Sequence, residues 1–260
     1  MNRDKETEEG SLGEGTLMSH LIELRSRLLK MAAAIVLVFV GLLPFARHIF
    51  EFVSEPLRAV LPGGQMIATA VASPLLAPFK LTFYVALFIA MPVVLYQVWA
   101  FVAPGLYMKE KRFALPLLAS SITLFYAGVA FAYFVVFPLI FGFMTAIAPA
   151  GVEVMTDVTS YLDFIMMLVL AFGIAFEVPI AAVLIVWTGL TTTEKLGKAR
   201  PYIFLGAFVV GMLLTPPDVI SQTLLAVPVY LLYELGIIMA RMFTAGKRDE
   251  ADETLAEDGQ

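Results

Sequence analysis

FIMMLVLAFGIAFEVPIAAVLIVW, residues 164–187, carries one ionisable side chain, Glu177, in an otherwise apolar run. At 1.5 Å of helical rise per residue, a run of this length crosses the roughly 30 Å of hydrocarbon in a bilayer. It is far too long to read as a buried strand. Its reading as a transmembrane helix sets the solvent in which the rest of the chain has to be understood. Five further apolar blocks lie on either side, at about 28–45, 75–98, 114–137, 202–214 and 220–239. The whole chain of 260 residues is 60% hydrophobic and 15% charged. A soluble domain is nearer 45 to 50% apolar and about 25% charged, so six spans account for the composition and a soluble core does not.

The connections are legible from proline, glycine and charge. Pro56, Pro62, Gly63 and Gly64 mark a first loop long enough to hold short structure of its own. Pro138, Pro149 and Gly151, followed by Glu153, Asp157 and Asp163, mark a second. Thr215-Pro216-Pro217-Asp218 leaves room only for a tight turn between the last two blocks. The fifth block is short for a bilayer, covering about 20 Å, and calls for a thinned membrane or a buried hairpin tip. Pro179 withdraws the helical donor from the carbonyl of Ala175, so the fourth span is expected to kink beside Glu177.

Orientation follows from lysine and arginine, which are retained on the cytoplasmic side. Fourteen of the 17 fall in the N-terminal segment, the loops after the second and fourth blocks, and the C-terminal segment. Arg47, Arg58 and Lys80 are the others. Six spans with both termini cytoplasmic fit this alternation. The acid is concentrated in the two ends, so 1–16 and 242–260 are expected to be disordered charged tails flanking a membrane domain at 17–241. An N-terminus this acidic is not a signal or transit peptide, which favours a bacterial membrane over an organelle.

Chemistry-bearing residues are few. Cysteine is absent and only two histidines occur, so a thiolate nucleophile or a Cys/His metal site is excluded. No glycine-rich phosphate loop precedes a helix, and no catalytic triad stands out; neither an enzyme nor a cofactor is expected. Leu17, Leu21, Leu24 and Leu28 recur at helical spacing before the first block, as in an amphipathic helix at the cytoplasmic interface. Glu23 on that helix is placed to pair with Arg27 at i, i+4. Glu110 sits among Lys109, Lys111 and Arg112 in the loop after the second block, behind the aromatic pair Trp99 and Phe101. Glu23 and Glu110 thus put two carboxylates on one membrane face, and a carboxylate accepts a bidentate pair of bonds from a guanidinium. Glu177 costs on the order of 3 kcal/mol or more if ionised at mid-span, so it is neutral, paired, or turned to a polar crevice. Asp218 reads as a helix cap and Lys80 as a snorkelling cation. Gln97, Ser120, Ser121 and Thr123 read as interhelical hydrogen-bonding residues.

Four motifs resemble those of the TatC family: HLIELRSR at 20–27, APGLY at 103–107 leading to EKR at 110–112, FEVP at 176–179, and GMLLTPPD at 211–218. They occur in the family's order on six predicted spans, and the likeness runs from about residue 17 to residue 241. The resemblance implies an all-α, polytopic, concave helical bundle with short fifth and sixth helices. It implies a receptor of the twin-arginine protein translocase in the bacterial cytoplasmic (inner) membrane, exporting folded proteins with the proton-motive force. By that likeness Glu23 and Glu110 receive the paired arginines of a signal peptide, with Arg25 and Phe101 shaping the site. Glu177 meets a polar residue of a TatA- or TatB-type helix, and Pro56 and Asp218 match further functional positions. The implied partners are those helices, signal peptides, lipid and further copies of the chain, with no nucleic acid. A rival reading, an ion-coupled small-solute transporter built on Glu177, is disfavoured by the absence of other mid-span charge or a repeated half.

Overall fold

The computed structural model describes side chains at residues 18–54, 67–101, 115–143, 147, 157–214 and 219–243, with helical backbone continuing beyond some of these limits. Its helices are α1 (Arg3–Leu42), α2 (Ala46–Val60), α3 (Ser73–Val102), α4 (Lys111–Phe131), α5 (Phe137–Ile147), α6 (Val158–Ala175), α7 (Val178–Trp187), α8 (Thr193–Leu214) and α9 (Val219–Glu257). They make six segments long and apolar enough to cross a membrane: Met18–Ser54, Ser73–Phe101, Leu115–Phe143, Val158–Trp187, Thr193–Leu214 and Val219–Phe243. No strand occurs among the described residues; one isolated bridge joins Ile67 to Asp157.

Three sequence expectations change in detail. The leucine-spaced segment around Glu23 is helical, but it runs without a break into the first span as part of α1. Pro138 does not end the third span. A π-helical turn, Ala132–Val136, precedes it, and the Phe137 N–H reaches back to the Ala132 carbonyl. A proline ring crowds the carbonyl four residues earlier, and the widened turn relieves that clash so the helix continues to Ile147. The fifth apolar block is short as read, but its helix is lengthened at the N-terminal end by the polar turns from Thr193.

The kink expected beside Pro179 is a full interruption of the fourth span at Phe176 and Glu177. α6 stops at Ala175, α7 restarts at Val178, and the Glu177 N–H turns to the Ile174 carbonyl at 3.0 Å, a tightened i−3 bond. This broken helix is the centre of the core. Ile165, Leu168, Val169 and Phe172 pack with Leu81 of α3, Phe137 and Ile140 of α5, and Leu225 of α9. α4 lies on α6, while α7 and α8 each lie on α9. Small residues allow the closest approaches, as expected where lipid leaves no hydrophobic drive between helices. A Cβ at Gly128 would lie 2.5 Å from the Phe172 carbonyl oxygen, and one at Gly236 would lie 2.9 Å from Pro179 Cα. The first span is different: its most apolar window has no buried residue, and it rests on α3.

Candidate functional site

α1 and α3 run antiparallel, which brings residues near the start of the first span to the end of the second. The His20 ring stacks on Phe101 with centroids 4.4 Å apart and planes at 29°. Two turns further along α1, Arg27 Nε and Nη2 donate to Glu23 Oε1 at 3.0 and 2.7 Å. Arg27 Nη1 donates to Gln97 Oε1 of α3 at 3.2 Å. The Arg27 and Glu23 side chains are only 20% and 34% exposed, so this is a partly desolvated network and not a waving surface pair. Arg25 is exposed. Of the four residues expected here, Glu23 and Phe101 share one end of the bundle, Arg25 faces outward on the same helix, and Glu110 lies outside the described residues. Gln97 was legible only as a generic interhelical donor or acceptor; its partner is 70 residues away.

Glu177 sits in the break of the fourth span. The Ser121 hydroxyl of α4 donates to its Oε2, and its Oε1 is buried with no partner among the described residues. The interruption delivers the carboxyl to α4 while the flanking Ala175 and Val178 line an apolar cavity of about 640 Å³ between the last three spans. Gly206, Val210 and Val229 close its other walls. Pro56 lies on α2 with its side chain outside the described residues, and Asp218 lies outside the described residues altogether.

Three polar clusters escaped the sequence reading because they join residues far apart in the chain. Asp157 caps α6, accepting from the Ser160 N–H at 3.0 Å. It also accepts from the Thr69 N–H and hydroxyl at 3.0 and 2.9 Å, tying the segment before α3 to the head of α6. Lys80 does not merely snorkel: it pairs with Asp163 at 2.6 Å across the second and fourth spans. Arg200 of α8 reaches Glu234 of α9 at 2.6 Å, and the Tyr230 hydroxyl donates to the same carboxylate at 3.0 Å. Glu234 lies inside the sixth span, so Glu177 is not the one charged residue within the spans as expected, although Glu234 is paired with Arg200.

The Thr69 N–H, then the Ser160 N–H and the Thr69 hydroxyl, hold the Asp157 carboxyl well below the usual carboxylate range. A carboxyl whose folded value is depressed contributes stability that is present above its unfolded value and lost as pH falls toward the folded one. The thermal midpoint of the chain in detergent is therefore expected to drop on acidification below about pH 4. Asp157→Asn should flatten that drop; an unchanged acid limb in the variant would refute the assignment.

A family profile described as "Sec-independent protein translocase protein (TatC)" matches residues 19–228. The chain is 58% identical over 244 residues to the Sec-independent protein translocase protein TatC of Azotobacter chroococcum, covering 94% of each. It is 57% identical over 237 residues to the protein of that name from Escherichia coli K12, covering 91% of this chain and 92% of the relative. A crystal structure of the twin arginine translocase receptor TatC superposes with a TM-score of 0.79 at 38% identity, covering 86% of this chain and 99% of that one.

Proposed function

The chain belongs to the TatC family of Sec-independent protein translocase proteins, and on that premise we propose that its Glu23 end is the docking surface for a signal peptide with paired arginines. It is a multi-pass membrane protein of a translocase and not an enzyme. The observation that carries the proposal is that Glu23 already accepts two N–H bonds from a guanidinium at a half-buried, membrane-edge position. That geometry supports the reading, because a carboxylate that seats one guanidinium has the bonding needed to seat another. Glu110 is the second acceptor, with Arg25 and Phe101 shaping the surface between. The excess of lysine and arginine on the connections at this end assigns it to the cytoplasm, together with both termini. Charged bonds at a wet interface are screened, so the apolar stretch of the peptide supplies much of the affinity and the arginine pair acts as selector.

Glu177 in the broken fourth span is the proposed contact for a polar residue of a TatA- or TatB-type helix, since among the described residues its buried Oε1 has no bond. Pro56 and Asp218 stand as further functional positions, 1–16 and 242–260 as solvated tails, and assembly with lipid and further copies of the chain completes the reading. The test is a photo-crosslinking probe placed beside the arginines of a synthetic signal peptide, used on membranes holding the full chain and its partner helices. Label is expected in peptides containing residues 20–27 and 101, and a paired-lysine probe should lose it. A cysteine scan along the fourth span is expected to crosslink partner helices on the Glu177 face. Label confined to the opposite end, or crosslinks spread evenly round the helix, would refute the respective assignment.

A further inference from the structure

The Glu23 carboxylate is not vacant. Arg27 places two donors on Oε1, and among the described residues no bond falls on Oε2. Arg27 sits one turn away on the same helix, so it is always within reach of Glu23, at an effective concentration no dissolved peptide matches. A pair serving only to stabilise the helix has no need of a third partner. Arg27 has one, Gln97 on the neighbouring helix, which holds the guanidinium from the side away from Glu23 at 3.2 Å. That bond gives Arg27 a seat it keeps when the carboxylate is taken by something else. The geometry has the parts of an exchange: an occupied oxygen, an open one, and an alternative acceptor for the group that is displaced.

We propose that Arg27 is a resident competitor for Glu23 and a specificity-determining residue of the docking surface. An incoming guanidinium engages Oε2, then takes Oε1 as Arg27 retreats onto Gln97. An ammonium group makes the same charge contact but lacks the planar fork that would match and replace Arg27 bond for bond. Arg27 therefore sets a threshold that arginine passes and lysine does not. The inference rests on the reading of Glu23 as the acceptor of a peptide arginine.

The experiment compares binding of two synthetic signal peptides, one with paired arginines and one with paired lysines, to the full chain in lipid nanodiscs. Arg27→Gln is expected to tighten the arginine peptide about fivefold, the upper end for a screened ion pair. It should tighten the lysine peptide more, so that discrimination between the two narrows. Arg27→Lys, which keeps the charge and the helix, should give a smaller gain in the same direction. In the Glu23→Gln background, Arg27→Gln should relieve charge repulsion on both peptides alike and no longer narrow the discrimination between them. Arg27→Gln and Arg27→Lys proteins that melt with the wild type yet bind the arginine peptide no tighter would overturn the competitor role. If Glu23→Gln leaves arginine-peptide affinity unchanged, the docking assignment itself falls, and the two failures are thereby told apart.

Discussion

Replacing Glu23 and Glu110 together by glutamine is expected to weaken binding of a paired-arginine signal peptide by roughly 30- to 150-fold. Each carboxylate loses one charge-assisted contact, about 1 to 1.5 kcal/mol after allowing for solvent at the membrane edge. The two losses should add if each acid holds a separate arginine. Glutamine keeps a carbonyl acceptor and nearly the same volume, so the effect isolates charge from shape. At Glu23 the change also leaves the Arg27 guanidinium without its carboxylate partner, adding a repulsive charge to the surface the peptide approaches. Titration of a fluorescent signal peptide against the full chain in nanodiscs measures the shift. A double variant binding within twofold of wild type would remove the electrostatic selector from the account.

Gly128→Leu is expected to cost about 3 kcal/mol, the upper end for overpacking a close contact. The added Cβ alone would sit 2.5 Å from the Phe172 carbonyl oxygen and 2.9 Å from the Phe176 ring. The carbonyl belongs to helix backbone and cannot swing aside, so α4 has to move off α6. Gly128 lies two turns along α4 from Ser121, the residue bonded to Glu177. Displacement therefore threatens the polar contact as well as the packing. Gly41→Ala supplies the contrast, since a Cβ there meets nothing within 4 Å. Helix propensity favours alanine over glycine by up to about 1 kcal/mol, so that variant should match or slightly exceed wild type. Thermal unfolding in detergent compares them, and a Gly128→Leu protein melting with the wild type would show the interface is looser than drawn.

Local rules carried much of this fold. Six apolar blocks predict six spans because each needs only its own length and composition, and Pro179 predicts the interruption beside Glu177 because the missing donor acts within one turn. The Glu23–Arg27 pair is likewise an i, i+4 consequence. What escaped is non-local or compensatory. Nothing in the sequence around Asp157 points to Thr69, 88 residues away, or pairs Lys80 with Asp163. Glu234 sits in an apolar run, and the Arg200 that pairs with it comes from the neighbouring helix, 34 residues away. The continuation of the third span past Pro138 depended on a π turn, which has no residue signature of its own. The proposed docking surface was half legible: the acids and the Glu23–Arg27 pair follow from the sequence, but the glutamine behind Arg27 required the antiparallel seating of α1 on α3.

The Asp157 ties have a mechanical corollary. By joining Thr69 to the head of α6 they lace the chain into a closed ring containing the second and third helical crossings, and the Lys80–Asp163 clasp doubles the stitch. Those ties oppose splaying of the crossings at that rim. An opening between those crossings therefore costs less at the other end of the bundle, where Glu23 stands, than at the laced rim.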